Sequence, residues 1–270
     1  MISLTEDKRM LGYESLHSYS NISHFVTTRQ GGVSEGAYGT FNCSPFCGDE
    51  AENVRRNQEL LLEGLPQRSR ELVIPFQTHG TRCLQIDPTF LTADADARAE
   101  LLREVDAVIT REPGCCLCIS TADCIPLLLY DTLHQAVAAI HAGWRGTVNY
   151  IVGHTLECMH TAFGTEGADV VACIGPGISL SSFEVGDEVY DAFRHQGFDM
   201  SRLSIRKADT GKYHIDLWEA NRQQLLDFGV PGRQIETAGI CTYIHHEQFF
   251  SARRLGIQSG RILSGIQINH

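Results

Sequence analysis

The sequence predicts an α+β fold: one large domain, residues 1–270, with mixed, largely antiparallel sheets flanked by helices in a four-layer, α/β/β/α-like arrangement. Apolar segments rich in Val, Ile, Leu and Ala lie close together and are separated by turn residues. Two connections between them, Arg111–Gly114 and Asp131–His134, are short enough for hairpins. Helical patterns lie between groups of strands rather than after each strand, which favours α+β over a doubly wound sheet.

The clearest strands are short, apolar and bounded by turn residues. They are Asp106–Thr110, Cys115–Ser120, Pro126–Tyr130, Gln135–His141 and Val170–Ile174. The chain has no internal repeat and no Pro/Ser-rich linker, so we expect a single domain.

Two helices carry capping signals. Thr147 is expected to cap a helix that Gly164 closes. Asp216, with Glu219 three residues later, resembles a capping box. The predicted helices therefore cover 147–163 and Leu217–Phe228, and apolar spacing adds Glu50–Leu62 and Val185–His195.

Composition excludes several function classes. The formal charge of -11 argues against nucleic acid as a partner, although a few local arginines can still bind a small anion. No apolar run is long enough for a membrane span, and the polar segment Met1–Tyr13 has no signal-peptide character, so we expect a cytoplasmic protein. The ten cysteines are then expected to be mostly reduced.

Three potential metal ligands lie at the ends of apolar segments. His79 follows Leu72–Phe76, Cys124 lies between two predicted strands, and His141 ends a third. Each residue taken singly is better explained as an ordinary strand-end histidine or a buried cysteine. Together, two imidazoles and a thiolate leave one tetrahedral zinc position open, which is typical of a catalytic site.

The chain resembles a known family along nearly its whole length. The resemblance is carried by Thr28–Ser34 (TRQGGVS), Gln77–Gly80 (QTHG), Thr121–Cys124 (TADC), His141–Gly146 (HAGWRG) and Phe249–Gly260. The family was long described as multicopper polyphenol oxidase or laccase-domain proteins, and is now described as purine nucleoside phosphorylases with adenosine deaminase activity. The resemblance implies zinc bound by His79, Cys124 and His141.

Two departures from the family pattern are visible. Ala252 and Leu255 replace the usual Tyr and Asp near the C-terminus, and Cys43-Ser44 replaces the more common Leu-Gly. Neither touches a predicted metal ligand, so we expect them to affect substrate preference.

Phosphorolysis of adenosine, inosine or methylthioadenosine requires a site for inorganic phosphate. The segment His141–Gly146 runs into the predicted helix at Thr147, where backbone N–H groups, the helix dipole and Arg145 would bind an anion. Arg29 in a glycine-rich loop is a second phosphate candidate. The candidates for base or ribose contacts are Asn42, Gln77 and Glu184.

Deamination would use a zinc-bound water as nucleophile, with Asp123 as the candidate acid/base. The main rival function is a Cys/His hydrolase or deamidase, with Cys124 as nucleophile and His141 as base. Copper oxidase chemistry is a further rival, ranked below zinc because no HxH pair occurs. A structural zinc module ranks last. The sequence leaves the preferred nucleoside and the oligomeric state open.

Overall fold

Two six-stranded sheets pack face to face in the computed structural model, which describes residues 1–270. The first has the order β1 (Ile2–Ser3), β2 (Met10–Gly12), β3 (Ile22–Thr27), β15 (Ile262–Ile268), β7 (Cys115–Thr121), β4 (Glu71–Val73). The second has the order β14 (Ile235–Thr237), β10 (Val170–Ile174), β8 (Ile125–Asp131), β9 (Ala136–Ala142), β6 (Ala107–Thr110), β5 (Cys83–Gln85). A small third sheet has the order β11 (Glu184–Val185), β13 (Tyr213–Ile215), β12 (Ser204–Arg206).

Most strand pairs are antiparallel; the parallel pairs are β4 with β7, β5 with β6 and β10 with β14. The helices are α1 (Glu14–His17), α2 (Ala51–Glu63), α3 (Pro88–Thr92), α4 (Ala95–Leu101), α5 (Trp144–Val148), α6 (Ile151–Phe163), α7 (Asp187–His195), α8 (Met200–Leu203), α9 (Leu217–Asp227) and α10 (Ala252–Leu255). None of them has the length and apolar character needed to cross a membrane.

Alternating side chains assign the two faces of the second sheet. In β8, Leu127 and Leu129 belong to a 31-residue core that the sheet shares with α6, α7 and α9. Leu128 and Tyr130 belong to a 24-residue core between the two sheets. A 10-residue core, including Leu61 of α2, covers the other face of the first sheet. The predicted α+β fold with α/β/β/α layers is confirmed, and its register is fixed because a one-residue slip would exchange both faces of β8.

The five predicted strands are confirmed to within about two residues at each end. The hairpin across Asp131–His134 is also confirmed, since β8 pairs with β9 from Ile125 opposite Ala142 to Asp131 opposite Ala136. The carboxylate of Asp131 accepts the N–H groups of Leu133 and His134 at 3.0 and 2.9 Å, which closes the turn.

The predicted hairpin at Arg111–Gly114 is wrong. β6 pairs with β9 and β5 in the second sheet, whereas β7 pairs with β15 and β4 in the first. The connection therefore crosses between sheets. The physical reason is the C-terminal strand β15, which pairs with β7 and was not predicted from the sequence.

The predicted helix beginning at Thr147 is also wrong at its start. Two helices are present, because Tyr150 has a left-handed backbone with φ 60° and separates α5 from α6. Thr147 lies inside α5, and its carbonyl accepts the side-chain amide of Gln224 at 2.9 Å. Gly164, with φ 80°, ends α6 as predicted.

The other helix predictions are confirmed to within two residues as α2, α7 and α9. At α9, the side chain of Asp216 accepts the N–H of Glu219 at 3.0 Å, as the capping pattern predicts.

Candidate metal centre

His79, Cys124 and His141 lie together at one end of the second sheet. Cys124 precedes β8, His141 is near the end of β9, and His79 belongs to the loop between β4 and β5. One ligand atom from each lies within 4.8 Å of the other two. His141 is buried, Cys124 is half-buried and His79 is exposed. Three soft or borderline donors thus face one point that solvent reaches from the side of His79.

A buried carboxylate, Asp106, holds two of these residues. Its Oδ1 lies 2.7 Å from Nδ1 of His141, and the side chain is fully buried. This contact places the Nδ1 proton between the two groups and leaves Nε2 to face the metal point. The carboxylate also accepts the backbone N–H groups of Thr78, His79 and Gly80 at 3.2, 2.9 and 2.8 Å.

Sequence reasoning missed Asp106 as a site residue and read it only as the first residue of a predicted strand. Asp106 could have been noticed because it directly precedes the apolar residues of β6. A carboxylate buried at such a position requires strong hydrogen-bond partners. Those partners are the His79 turn, in which His79 itself has a left-handed backbone with φ 65°. A strained backbone conformation of this kind persists only where the surrounding contacts hold it in place.

The turn before Cys124 is held by a second buried carboxylate. Asp123 also has a left-handed backbone, with φ 84°. Its Oδ1 accepts the hydroxyl of Thr242 at 2.7 Å, and its Oδ2 accepts the N–H of Arg253 at 2.7 Å. These bonds fix the point where the chain passes from β7 in one sheet to β8 in the other.

Gly143 provides the space in which the ligands meet. A Cβ at this position would lie 2.7 Å from Cδ2 of His79 and 3.1 Å from Sγ of Cys124. A side chain here would therefore displace the imidazole.

The three groups also polarise one another. Burial disfavours the thiolate, but His141 and His79 outweigh it and lower the pKa of Cys124 to about 6. Burial disfavours the imidazolium, but Cys124 and Asp106 outweigh it and raise the pKa of His141 to about 9. The directions of both pKa shifts favour a thiolate beside an imidazolium in the metal-free site.

A cavity of about 290 Å³ leads to the ligands. Its polar wall includes Gln77, Ser120, Thr121 and Arg261, and its apolar wall includes Phe46, Phe76, Ala252 and Ile257. Arg261 was not among the predicted site residues. Its guanidinium donates to the carbonyls of Gly260 and Ile257 at 3.1 and 2.9 Å, which orders the rim.

A profile of the family described as multi-copper polyphenol oxidoreductase laccase matches residues 23–269. The chain belongs to this family. A purine nucleoside phosphorylase of Bacteroides thetaiotaomicron is 70% identical over 269 residues, which is 100% of both chains. Adenosine deaminase RL5, from an unknown prokaryotic organism, is 40% identical over 249 residues, covering 92% of this chain and 95% of that one.

Two solved structures share the fold of this chain. YlmD from Geobacillus stearothermophilus superposes with a TM-score of 0.86 at 32% identity, covering 96% of this chain and 95% of that one. The hypothetical protein YfiH of Bacillus licheniformis gives a TM-score of 0.88 at 29% identity, covering 96% of each chain.

Among the other predicted residues, Gln77 lines the metal cavity. Its side-chain amide donates to the carbonyl of Ser120 at 2.9 Å and accepts the N–H of the same residue at 2.8 Å. Through these two bonds Gln77 ties the His79 loop to β7.

Asn42 does not line the cavity. It is fully buried, donates to Asp49 at 2.9 Å and accepts the N–H of Arg261 at 3.0 Å. Asn42 thus fixes the loop beside the cavity, and its contact with base or ribose stays a prediction.

Arg29 and Glu184 also lie away from the ligands. The guanidinium of Arg29 donates to the carbonyls of Gly39 and His246 at 2.9 and 2.8 Å. Glu184 accepts from Lys212 at 3.1 Å on the third sheet. Neither lines the metal cavity, and their substrate roles stay predictions.

Asp123 has both carboxylate oxygens engaged by Thr242 and Arg253, and its carboxylate is not among the converging ligand atoms. The predicted acid/base role therefore has no geometric support. Of the two C-terminal departures, Ala252 lines the cavity, whereas Leu255 packs against the core between the sheets.

Proposed function

We propose that this chain is a zinc-dependent purine nucleoside phosphorylase acting on adenosine, inosine and methylthioadenosine, with adenosine deaminase as a second activity. The observation that carries the proposal is the convergence of His79, Cys124 and His141 at one end of a cavity of about 290 Å³. The relatives named purine nucleoside phosphorylase and adenosine deaminase support the same reading.

The donor set fits zinc. Two imidazole nitrogens and one thiolate are common ligands of this ion, and three protein ligands leave a position for substrate. The ligand atoms are at most 4.8 Å apart, so a shift of roughly 1 Å each brings them to zinc bond lengths of about 2.0–2.3 Å. The Asp106 carboxylate on His141 is typical of zinc-bound histidines. Multicopper chemistry would need further histidine clusters. His79, Cys124 and His141 are the one group of three or more potential metal ligands in the structure.

Arg145 is the best-supported phosphate residue. A second cavity, of about 500 Å³, shares His79 with the metal cavity and is bordered by Trp144, Arg145 and His195. The guanidinium of Arg145 lies 4.3 Å from the centre of the Trp144 ring. It is exposed and forms no salt bridge, so its N–H groups remain available for bidentate contact with an anion. The helix behind it begins at Trp144 rather than at Thr147.

Phosphorolysis joins a phosphate oxygen to C1′ of the ribose and breaks the bond from C1′ to the base nitrogen, which takes the electron pair. Arg145 would orient the phosphate and offset its charge. Zinc, when bound, supplies a Lewis acid next to the reacting groups. Asp106 keeps the proton on Nδ1 of His141, so that Nε2 remains a ligand.

Deamination is the second candidate because a relative of 40% identity is named adenosine deaminase. The acid/base group for that reaction is not Asp123 in our proposal, since its oxygens are engaged. One observation favours the rival Cys/His hydrolase: the thiol of Cys124 lies beside His141 and has a pKa of about 6. The hydrolase mechanism gives no role to His79, whereas the metal centre uses all three residues.

The test is to assay zinc-loaded protein on the three nucleosides with and without phosphate, measuring free base and ribose 1-phosphate. We expect phosphate-dependent turnover. Cys124→Ala should lose zinc and turnover together, whereas Cys47→Ala, in the same cavity wall but not a ligand, should keep its zinc. Full zinc with no activity in Cys124→Ala would instead assign a nucleophilic cysteine.

We also propose that the protein acts in the cytoplasm. All ten cysteines are free thiols, as is usual in a reducing compartment.

A further inference from the structure

Two exposed phenylalanines form the wall between the metal cavity and a neighbouring apolar cavity of about 440 Å³. The rings of Phe46 and Phe76 meet edge to face, with centres 5.3 Å apart. Phe46 is 49% exposed and Phe76 is 42% exposed. Paired aromatic surface beside a functional cavity is what a planar apolar ligand face would cover.

Both rings stand on anchored backbone. The N–H of Phe76 donates to the carbonyl of Leu102 at 2.9 Å, and the next residue, Gln77, is bonded twice to Ser120. Phe46 belongs to the loop that Asn42 holds. The rings are therefore positioned before a ligand arrives, which lowers the entropy cost of binding.

The wall nearer the metal ligands is polar instead. The side-chain hydroxyls of Ser120 and Thr121 are buried and have no hydrogen-bond partner in the protein, and Thr121 is only 1% exposed. Buried hydroxyls are nearly always paired. Both residues line the metal cavity, so a ligand with hydroxyl groups would supply the partners.

We propose that Phe46 and Phe76 form the base-binding subsite of the enzyme and that Ser120 and Thr121 bind the ribose hydroxyls. This inference rests on the proposed nucleoside phosphorylase function and adds the orientation of the substrate. The purine lies against the aromatic wall, where stacking recognises its flat face. The sugar lies on the polar wall, so that C1′ is beside the metal ligands.

The reverse reaction separates the two halves of the substrate, because base and ribose 1-phosphate then bind as separate molecules. Phe46→Ala and Phe76→Ala should each raise the KM for hypoxanthine about tenfold or more, and change the KM for ribose 1-phosphate less than twofold. Thr121→Val should raise the KM for ribose 1-phosphate and change the KM for hypoxanthine less than twofold. Phe46→Leu keeps apolar bulk without the ring, so its KM for hypoxanthine should lie between those of wild type and Phe46→Ala. This variant still tests the ring if the alanine variant folds poorly.

Leu133→Ala is the matched control, since Leu133 is 65% exposed on the turn after β8 and lies outside both cavities. It should leave both KM values unchanged, and all variants should keep zinc. Equal shifts of both KM values, or no shift for the base, would overturn the subsite. If the wild type phosphorolyses no nucleoside, the proposed function fails, and calorimetry of hypoxanthine binding to wild type and Phe46→Ala still decides the base subsite: weaker binding to the variant supports it, and equal or absent binding refutes it.

Discussion

Two buried aspartates serve the two sides of the metal centre differently. Asp106 contacts the ring of His141 and the backbone of the His79 turn. Asp123 contacts neither histidine; it accepts from Thr242 and Arg253 and fixes the turn before Cys124. Both carboxylates hold a residue with a left-handed backbone, but only Asp106 reaches a ligand side chain.

The difference separates electrostatic support from positional support. A carboxylate on a ligand ring decides which nitrogen carries the proton and how basic the other is. A carboxylate that binds only backbone and a hydroxyl decides where the ligand stands. Substitution of the first should therefore change metal affinity and its pH dependence, whereas substitution of the second should change mainly folding stability.

The largest effect is expected for Asp106→Asn. The amide cannot accept all of the hydrogen bonds that the carboxylate accepts, and its NH2 group would face backbone donors. Metal affinity should fall about 10–100-fold, and the free energy of unfolding should fall by about 2–3 kcal/mol. Chelator competition measures the metal affinity, and urea unfolding measures the free energy of unfolding. Zinc affinity within threefold of wild type would show that the contact with His141 is not part of the metal site.

Gly143→Ala should cause the second-largest loss of metal affinity. The added Cβ would lie 2.7 Å from Cδ2 of His79, so the imidazole must move. We expect a loss of roughly tenfold in metal affinity, the lower end of what disturbed ligand support costs. Gly153→Ala in α6 is the control, because its Cβ meets nothing closer than 4.0 Å, and it should leave zinc binding unchanged. Equal affinities of Gly143→Ala and wild type would contradict the packing described here.

The pH dependence of zinc binding sharpens the comparison. Because the pKa values of metal-free Cys124 and His141 are about 6 and about 9, binding should release one proton, from His141, between these values. Affinity should then rise about tenfold per pH unit over that window, and more steeply below pH 6, where the thiol must also ionise. Calorimetry in buffers of different ionisation enthalpy counts the protons. Proton release at pH 8 should shrink in Asp106→Asn, which loses one of the two charges that raise the His141 pKa, and stay unchanged in Asp123→Asn.

Asp123→Asn should have the smallest effect on the metal. Asn tolerates the left-handed conformation and can still accept one of the two hydrogen bonds. The free energy of unfolding should fall by about 1–3 kcal/mol, with zinc affinity and turnover within about threefold of wild type. A large loss of turnover at full zinc occupancy and normal stability would restore Asp123 as an acid/base group.

Much of this site was predictable because its ligands interrupt apolar strands. His79, Cys124 and His141 are polar residues at strand ends, and family motifs surround each of them. The partners that support them were not predictable. Asp106 lies 35 residues before His141, and its contact depends on β6 and β9 being neighbours.

The wrong hairpin prediction has the same origin. Cys115–Ser120 was assigned to a hairpin because its partner strand, β15, is at the other end of the chain. Arg29 belongs to a family motif, and Asn42 was a candidate for base or ribose contacts. The partners of both are backbone carbonyls and residues of their own loop and the C-terminal segment. A motif identifies residues that matter without saying whether they bind substrate or hold a loop.

X-ray absorption at the zinc edge tests the central claim most directly. The account predicts two nitrogen ligands at about 2.0–2.1 Å, one sulfur at about 2.3 Å and one further light atom in the open position. The sulfur contribution should persist in Cys47→Ala, whereas Cys124→Ala should bind no zinc. A zinc spectrum of the wild type without sulfur, or with more than one sulfur, would contradict a centre formed by His79, Cys124 and His141.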